Sequence, residues 1–172
     1  MIVAEADISE EWDSRTDWPA LILRAVAAAV SHSRDAALAE NALSIEVSVK
    51  LTGDAEVQAL NRDYRGKDQP TNVLSFPMAA PDLLASVADG DEIEILLGDV
   101  VLAHGTCARE AAERSISVSD HAAHLLVHGT LHLLGYDHET GAADAEAMEQ
   151  AERRALASLG IADPYSLPLL QD

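Results

Sequence analysis

The residues best suited to chemistry lie in one stretch, His128-Gly129-Thr130-Leu131-His132-Leu133-Leu134-Gly135-Tyr136-Asp137-His138. His128 and His132 are four residues apart, which on an α-helix sets them one above the other, about 6 Å along the axis. Gly135 follows one turn later and tolerates the left-handed backbone that ends a helix and turns the chain back. That turn lets His138 approach the same point from outside the helix. Three neutral imidazoles with a fourth position open form the donor set of a catalytic zinc site.

The other histidines do not compete for this role. His121 and His124 lie on the same helix, but His124 and His132 are separated by about 12 Å of helix axis, too far to share one ion at ligand distances of about 2 Å. His124 is then a neighbour on the helix face, and His121 is expected to be exposed. His32 and His104 have no partner spacing and default to structure or solvent. Asp137 either orients an imidazole or caps the turn. Metzincin proteases share the histidine and glycine spacing, but Gly129 stands where they carry a catalytic glutamate. Glycine offers no general base. Cys107 is the only cysteine, which excludes an intrachain disulfide and fits a reducing compartment. It reads as a small buried apolar residue rather than a nucleophile paired with His104.

A second region differs in character from the chain around it. Arg62, Arg65 and Lys67 fall within six positions of a protein with 30 acidic and 11 basic residues and a net charge of −19. They read equally well as a solvated helix end, where cations complement the dipole, or as an anion-binding corner in which arginine contacts phosphate bidentately. The overall charge favours solubility and opposes indiscriminate nucleic-acid binding, leaving room only for a local basic groove.

The elements that must position these groups follow from patterning. Strands are expected over residues 2–8, 44–51, 73–76 and 93–103. The second alternates most clearly, with Ile45, Val47, Val49 and Leu51 on one face; the fourth is interrupted by Gly98-Asp99, the mark of a bulge. One helix starts at Asp17, with Pro19 in its first turn and Leu21, Leu23, Val26 and Val30 on its apolar side. Another runs from residue 54 to about Gly66, a third over 107–114, and a last one over 140–159. Ser119 is expected to cap the histidine helix, whose flanks are nearly all apolar. Residues 78–92, acidic and punctuated by Pro81 and Gly90, read as an irregular loop, and the tail after Asp163 likewise. The order is not a regular βαβα series, so an α+β fold is expected: a small mixed sheet with helices packed over it and the histidine helix at the centre. With no internal boundary, residues 1–172 read as a single domain. No basic-then-apolar leader is apparent, and the longest apolar run, near residues 20–30, is interrupted by Arg24 and too short for a membrane span. A soluble, cytoplasmic protein without membrane contact is the expectation.

The histidine stretch, together with Leu60-Asn61 through Tyr64-Arg65, Thr71-Asn72-Val73-Leu74-Ser75-Phe76 and Gly98-Asp99-Val100, resembles the YbeY family of bacterial endoribonucleases. The resemblance runs from about residue 45 to 165; the first 40 residues match only in general character. It implies a metal-dependent, single-strand-specific endoribonuclease (a hydrolase acting on phosphodiester bonds) in ribosomal RNA maturation at the 16S 3′ end and in ribosome quality control. The family's metal-binding histidines fall on His128, His132 and His138, and its functionally critical arginine on Arg65, which favours the phosphate-contact reading of that corner. One zinc ion per chain is the implied cofactor, although histidine-only ligation also admits nickel. The implied partners are single-stranded and ribosomal RNA, with ribosomal proteins or an assembly GTPase beside them. Two other classes stay open: a metzincin-like metallopeptidase, and a non-catalytic ribosome-assembly factor whose zinc is structural.

Overall fold

The alternating segment becomes the inner strand of a sheet. In the computed structural model, which describes residues 1–88 and 93–165, β2 (Ser44–Thr52) buries Ile45, Val47, Val49 and Leu51. β1 (Ile2–Ile8) pairs parallel with one edge of β2, and β4 (Glu94–Ala103) pairs parallel with the other. β3 (Val73–Pro77) joins β4 antiparallel, completing a mixed sheet of order β1-β2-β4-β3. Parallel neighbours require crossovers. The first holds α1 (Trp18–Ser31) and the short α2 (Leu38–Asn41); the second holds α3 (Asp54–Arg65), β3 and α4 (Pro81–Ala88). α5 (His104–Glu113), α6 (Val118–Leu133) and α7 (Ala142–Ser158) follow. This is the expected α+β architecture.

α6 carries His128 and His132 and is the central helix. It lies against β3 and β4 and is flanked by α1, α5 and α7. Gly129 permits the close approach: a Cβ there would stand 2.8 Å from Val100 Cγ1. On the far face of the sheet, α3 covers Leu74, Val101 and Ala103 through Val57.

Several local expectations need correction. Residues 81–88 are helical rather than irregular, since Pro81 occupies a first-turn position open to proline and Leu84 and Val87 bury against the core; residues 89–92 and 166–172 lie outside the described residues. Asp17 caps α1 through Ala20 N at 3.2 Å, but the helix turns Ile22 inward and leaves Leu23 43% exposed. α6 is capped by Ser117, whose Oγ accepts from Asp120 N at 3.1 Å, not by Ser119. The bulge in β4 is present: Glu46 pairs with Leu96 and Val47 with Gly98, leaving Leu97 as the extra residue. Gly98 sits there at φ +141°, where a Cβ would collide with Phe76 O. Among the described residues, no helix is long and apolar enough to cross a membrane.

Candidate metal centre

The three histidines of the opening stretch meet. One ligand nitrogen of each of His128, His132 and His138 lies within 4.8 Å of the others. The His138 ring is centred 5.5 Å from that of His128 and 5.2 Å from that of His132. The turn that returns His138 is built as glycine allows: Gly135 takes φ +98°, and Tyr136 N donates to Leu131 O at 3.0 Å. Tyr136 is buried, accepts from Arg34 N at 2.8 Å through its hydroxyl, and lies under the Arg34 guanidinium at 4.1 Å. Asp137 caps the turn, accepting from Glu139 N at 2.8 Å, so of its two readings the cap is the one seen.

The donor set fits a metal ion. His132 Nδ1 lies 2.9 Å from Tyr136 O; a carbonyl only accepts, so Nδ1 carries the proton. His128 Nδ1 is hydrogen-bonded to Glu152 Oε1. Burial would raise the pKa of Glu152, but His124 and His128 beside it outweigh that and hold it below the usual carboxylate range. The Nε2 atoms of His128 and His132 stand 3.2 Å apart. Two nitrogens bound to one tetrahedral zinc ion at about 2.0–2.1 Å stand about 3.3 Å apart. Burial, then the neighbouring imidazoles of His128 and His138, push the pKa of His132 down to about 4, so its imidazole is neutral at physiological pH.

The centre opens into a groove of about 860 Å³ between β3, the end of α3 and the Gly135 turn. Of the three cations near the end of α3, only Arg65 lines it. Arg62 is held by Asp63 at 3.2 Å, whereas Arg65 makes no ion pair among the described residues. Its position is fixed by the helix end. Gly66 caps α3 in the left-handed region, its N–H returning to Arg62 O, and the buried Asn61 donates to Gln69 O at 2.9 Å. Tyr64, 71% exposed, rests edge-on against Phe76 at 5.4 Å on the same groove. A second concavity, about 590 Å³ on the open face of the sheet, carries the carboxylates of Glu5, Asp7, Glu56 and Asp99, and its one cation, Lys50, is bound to Glu56 at 2.6 Å. That lining does not suit a phosphodiester.

His121, expected to be exposed, is buried and bonded to Glu110 of α5 at 2.8 Å. The residue counts as solvent-facing in isolation, but α5 folds over it. His124 is a buried neighbour as expected, 3.6 Å from Glu152 Oε2, beyond hydrogen-bond length. His104 packs edge-on against Trp12 at 5.1 Å. Cys107 is fully buried, its thiol pushed up to about 12 by burial and by Glu110; it is structural. Sequence reasoning missed Glu152 and Tyr165, whose hydroxyl donates to Glu152 Oε2. A signal existed: Glu152 falls on the apolar side of α7 with Met148, Ala155 and Leu156, a phase at which a carboxylate needs a partner.

The chain is similar to known proteins along most of its length. A family profile described as Endoribonuclease YbeY matches residues 10–160. A protein of that description from Rhizorhabdus wittichii is 53% identical over 167 residues, covering 97% of this chain and 98% of its own. Another, from Sphingopyxis alaskensis, is 55% identical over 166 residues, covering 96% and 98%. The solution structure of a Thermotoga maritima protein superposes with a TM-score of 0.52 at 22% identity, covering 100% of this chain and 96% of that one, which shows the shared fold. The matches extend across the first 40 residues, further than the motifs alone had reached.

Proposed function

We propose, for a chain that belongs to the YbeY endoribonuclease family, that it is a metal-dependent endoribonuclease cleaving single-stranded RNA at the three-histidine centre. Its substrate on this reading is ribosomal RNA, in 16S 3′-end maturation and ribosome quality control, with ribosomal proteins or an assembly GTPase as further partners in the cytoplasm. The observation that carries the reading is the shared groove, in which Arg65 and the three imidazoles line one space. The reading treats residues 1–172 as one hydrolase domain holding one ion, zinc or, by the same donor chemistry, nickel.

His128, His132 and His138 would hold the ion, which when bound supplies Lewis acidity toward a phosphoryl oxygen and acidifies water. The protein's own part is positioning. Tyr136 O fixes the proton of His132 on Nδ1. Arg65 presents a fork of donors to the phosphate and offsets charge that develops on it. An unpaired strand can turn its phosphates into the groove in a way that a rigid duplex cannot.

The peptidase alternative is disfavoured by Gly129, which is packed on Val100 and supplies no base. The test is side-by-side metal analysis and RNA cleavage. His132→Ala is expected to lose bound metal and cleavage together while the fold remains, as reported by circular dichroism. Arg65→Ala is expected to keep the metal and lose about 100- to 1,000-fold in cleavage rate, the usual effect of removing one preorganised donor. Wild-type cleavage by Arg65→Ala with metal bound would refute its role. Unfolding of His132→Ala would favour a structural metal.

A further inference from the structure

The two helix histidines are oriented by different means. His132 Nδ1 donates to Tyr136 O, four residues away in the turn that α6 itself makes. His128 Nδ1 instead meets a side chain from another element, Glu152 of α7. Glu152 is fully buried, a placement a carboxylate tolerates only when its oxygens are hydrogen-bonded. Each of its oxygens is satisfied: Oε1 accepts from His128 and Oε2 from the Tyr165 hydroxyl.

Tyr165 is itself held on several sides. Its ring stands edge-on to His124 at 5.9 Å and lies under the Arg153 guanidinium at 5.3 Å. Its backbone N–H donates to Asp163 Oδ1 at 2.8 Å, and Arg153 Nε pairs with Asp163 Oδ2 at 3.2 Å. The segment after α7 is therefore tied to the metal centre through one carboxylate, although it lies outside the groove.

We propose that Glu152 is the positioning residue of the metal centre, holding the His128 proton on Nδ1 so that Nε2 faces the ion, with Tyr165 locking Glu152 in that orientation. The inference rests on the metal reading above and goes beyond it by assigning α7 and Asp163-Pro164-Tyr165 to the site. Without Glu152, the imidazole is free to carry its proton on Nε2, and every such molecule lacks a ligand. Outer carboxylates of this kind commonly set metal affinity over a 10- to 100-fold range.

The test uses the full chain and two readouts that need no RNA. Zinc affinity is measured by competition with a chelating indicator for the wild type and Glu152→Gln, which keeps the shape of the side chain and removes its charge. Long-range ¹H–¹⁵N correlation spectra of the metal-free wild type report the His128 tautomer. The expected results are a loss of about 10- to 100-fold in zinc affinity with an unchanged circular dichroism spectrum, and a His128 proton on Nδ1. Zinc affinity within twofold of wild type in the folded variant would overturn the proposal, and so would a wild-type His128 with its proton on Nε2. If Glu152→Gln does not fold, the wild-type tautomer decides alone. A wild type that binds no zinc refutes the metal reading instead, and the tautomer still reports on Glu152.

Discussion

Gly129 stands where a metalloprotease would keep its glutamate, and a Cβ there would stand 2.8 Å from Val100 Cγ1 of β4. A side chain at that position would enter the sheet, not the groove. One glycine thus serves two ends: it brings the histidine helix close to the strands and leaves the centre without a protease base. Cys107 shows the opposite relation, a reactive residue type made inert by its surroundings. Burial and Glu110 raise its thiol to about 12. Iodoacetamide at pH 8 is expected to leave the native protein unmodified and to label one thiol per chain in denaturant, as read by mass spectrometry. Because the folded thiol has the higher pKa, the unfolded chain loses its proton first. Stability contributed by keeping this group neutral is intact below the ordinary thiol value of 9.0 and falls as pH rises from there toward 12.

Among the elements, α6 depends on where it starts as much as on what it carries. Its phase sets which histidines face the groove, and Ser117 fixes its first turn through Asp120 N. Ser117→Ala is expected to cost about 1 kcal/mol, whereas Ser119→Ala, within the first turn, should stay within about 0.5 kcal/mol. Chemical denaturation of both variants checks the assignment, and equal losses would return the cap to Ser119. The end of α3 matters in the same way. Gly66 ends the helix at the residue after Arg65, so the helix end holds the arginine at the rim of the groove.

At the scale of the whole molecule, the charge of −19 sets the terms on which RNA can approach. A polyanion meets a surface on which 30 acidic residues outnumber 11 basic ones, and the groove of the metal centre is lined by a single arginine, Arg65. Few phosphates can be neutralised there, and each contributes about −0.7 to the slope of log K against log salt for a single strand. With three contacts or fewer, the slope is expected to be no steeper than about −2. Fluorescence anisotropy with a single-stranded oligomer across a salt series measures it, and a slope near −5 would require a basic surface outside this groove.

Periodicity and spacing in the sequence were enough for the strands, for the place of the long helices though not for the inward face of α1, and for the convergence of the three histidines, because these rest on local geometry: the four-residue repeat of a helix and the turn allowed by Gly135. Arg65 was visible as a cation but ambiguous, since a helix-end arginine and a phosphate ligand look alike until β3 and the Gly135 turn close the groove around it. The α4 helix was hidden because Pro81 and the acidic residues imitate a loop, and only burial of Leu84 and Val87 decides the matter. His121 and Glu152 lay furthest out of reach. Their partners, Glu110 and His128, are 11 and 24 residues away in sequence, and whether a buried charged group is satisfied depends on which helices pack together, which only the tertiary structure decides.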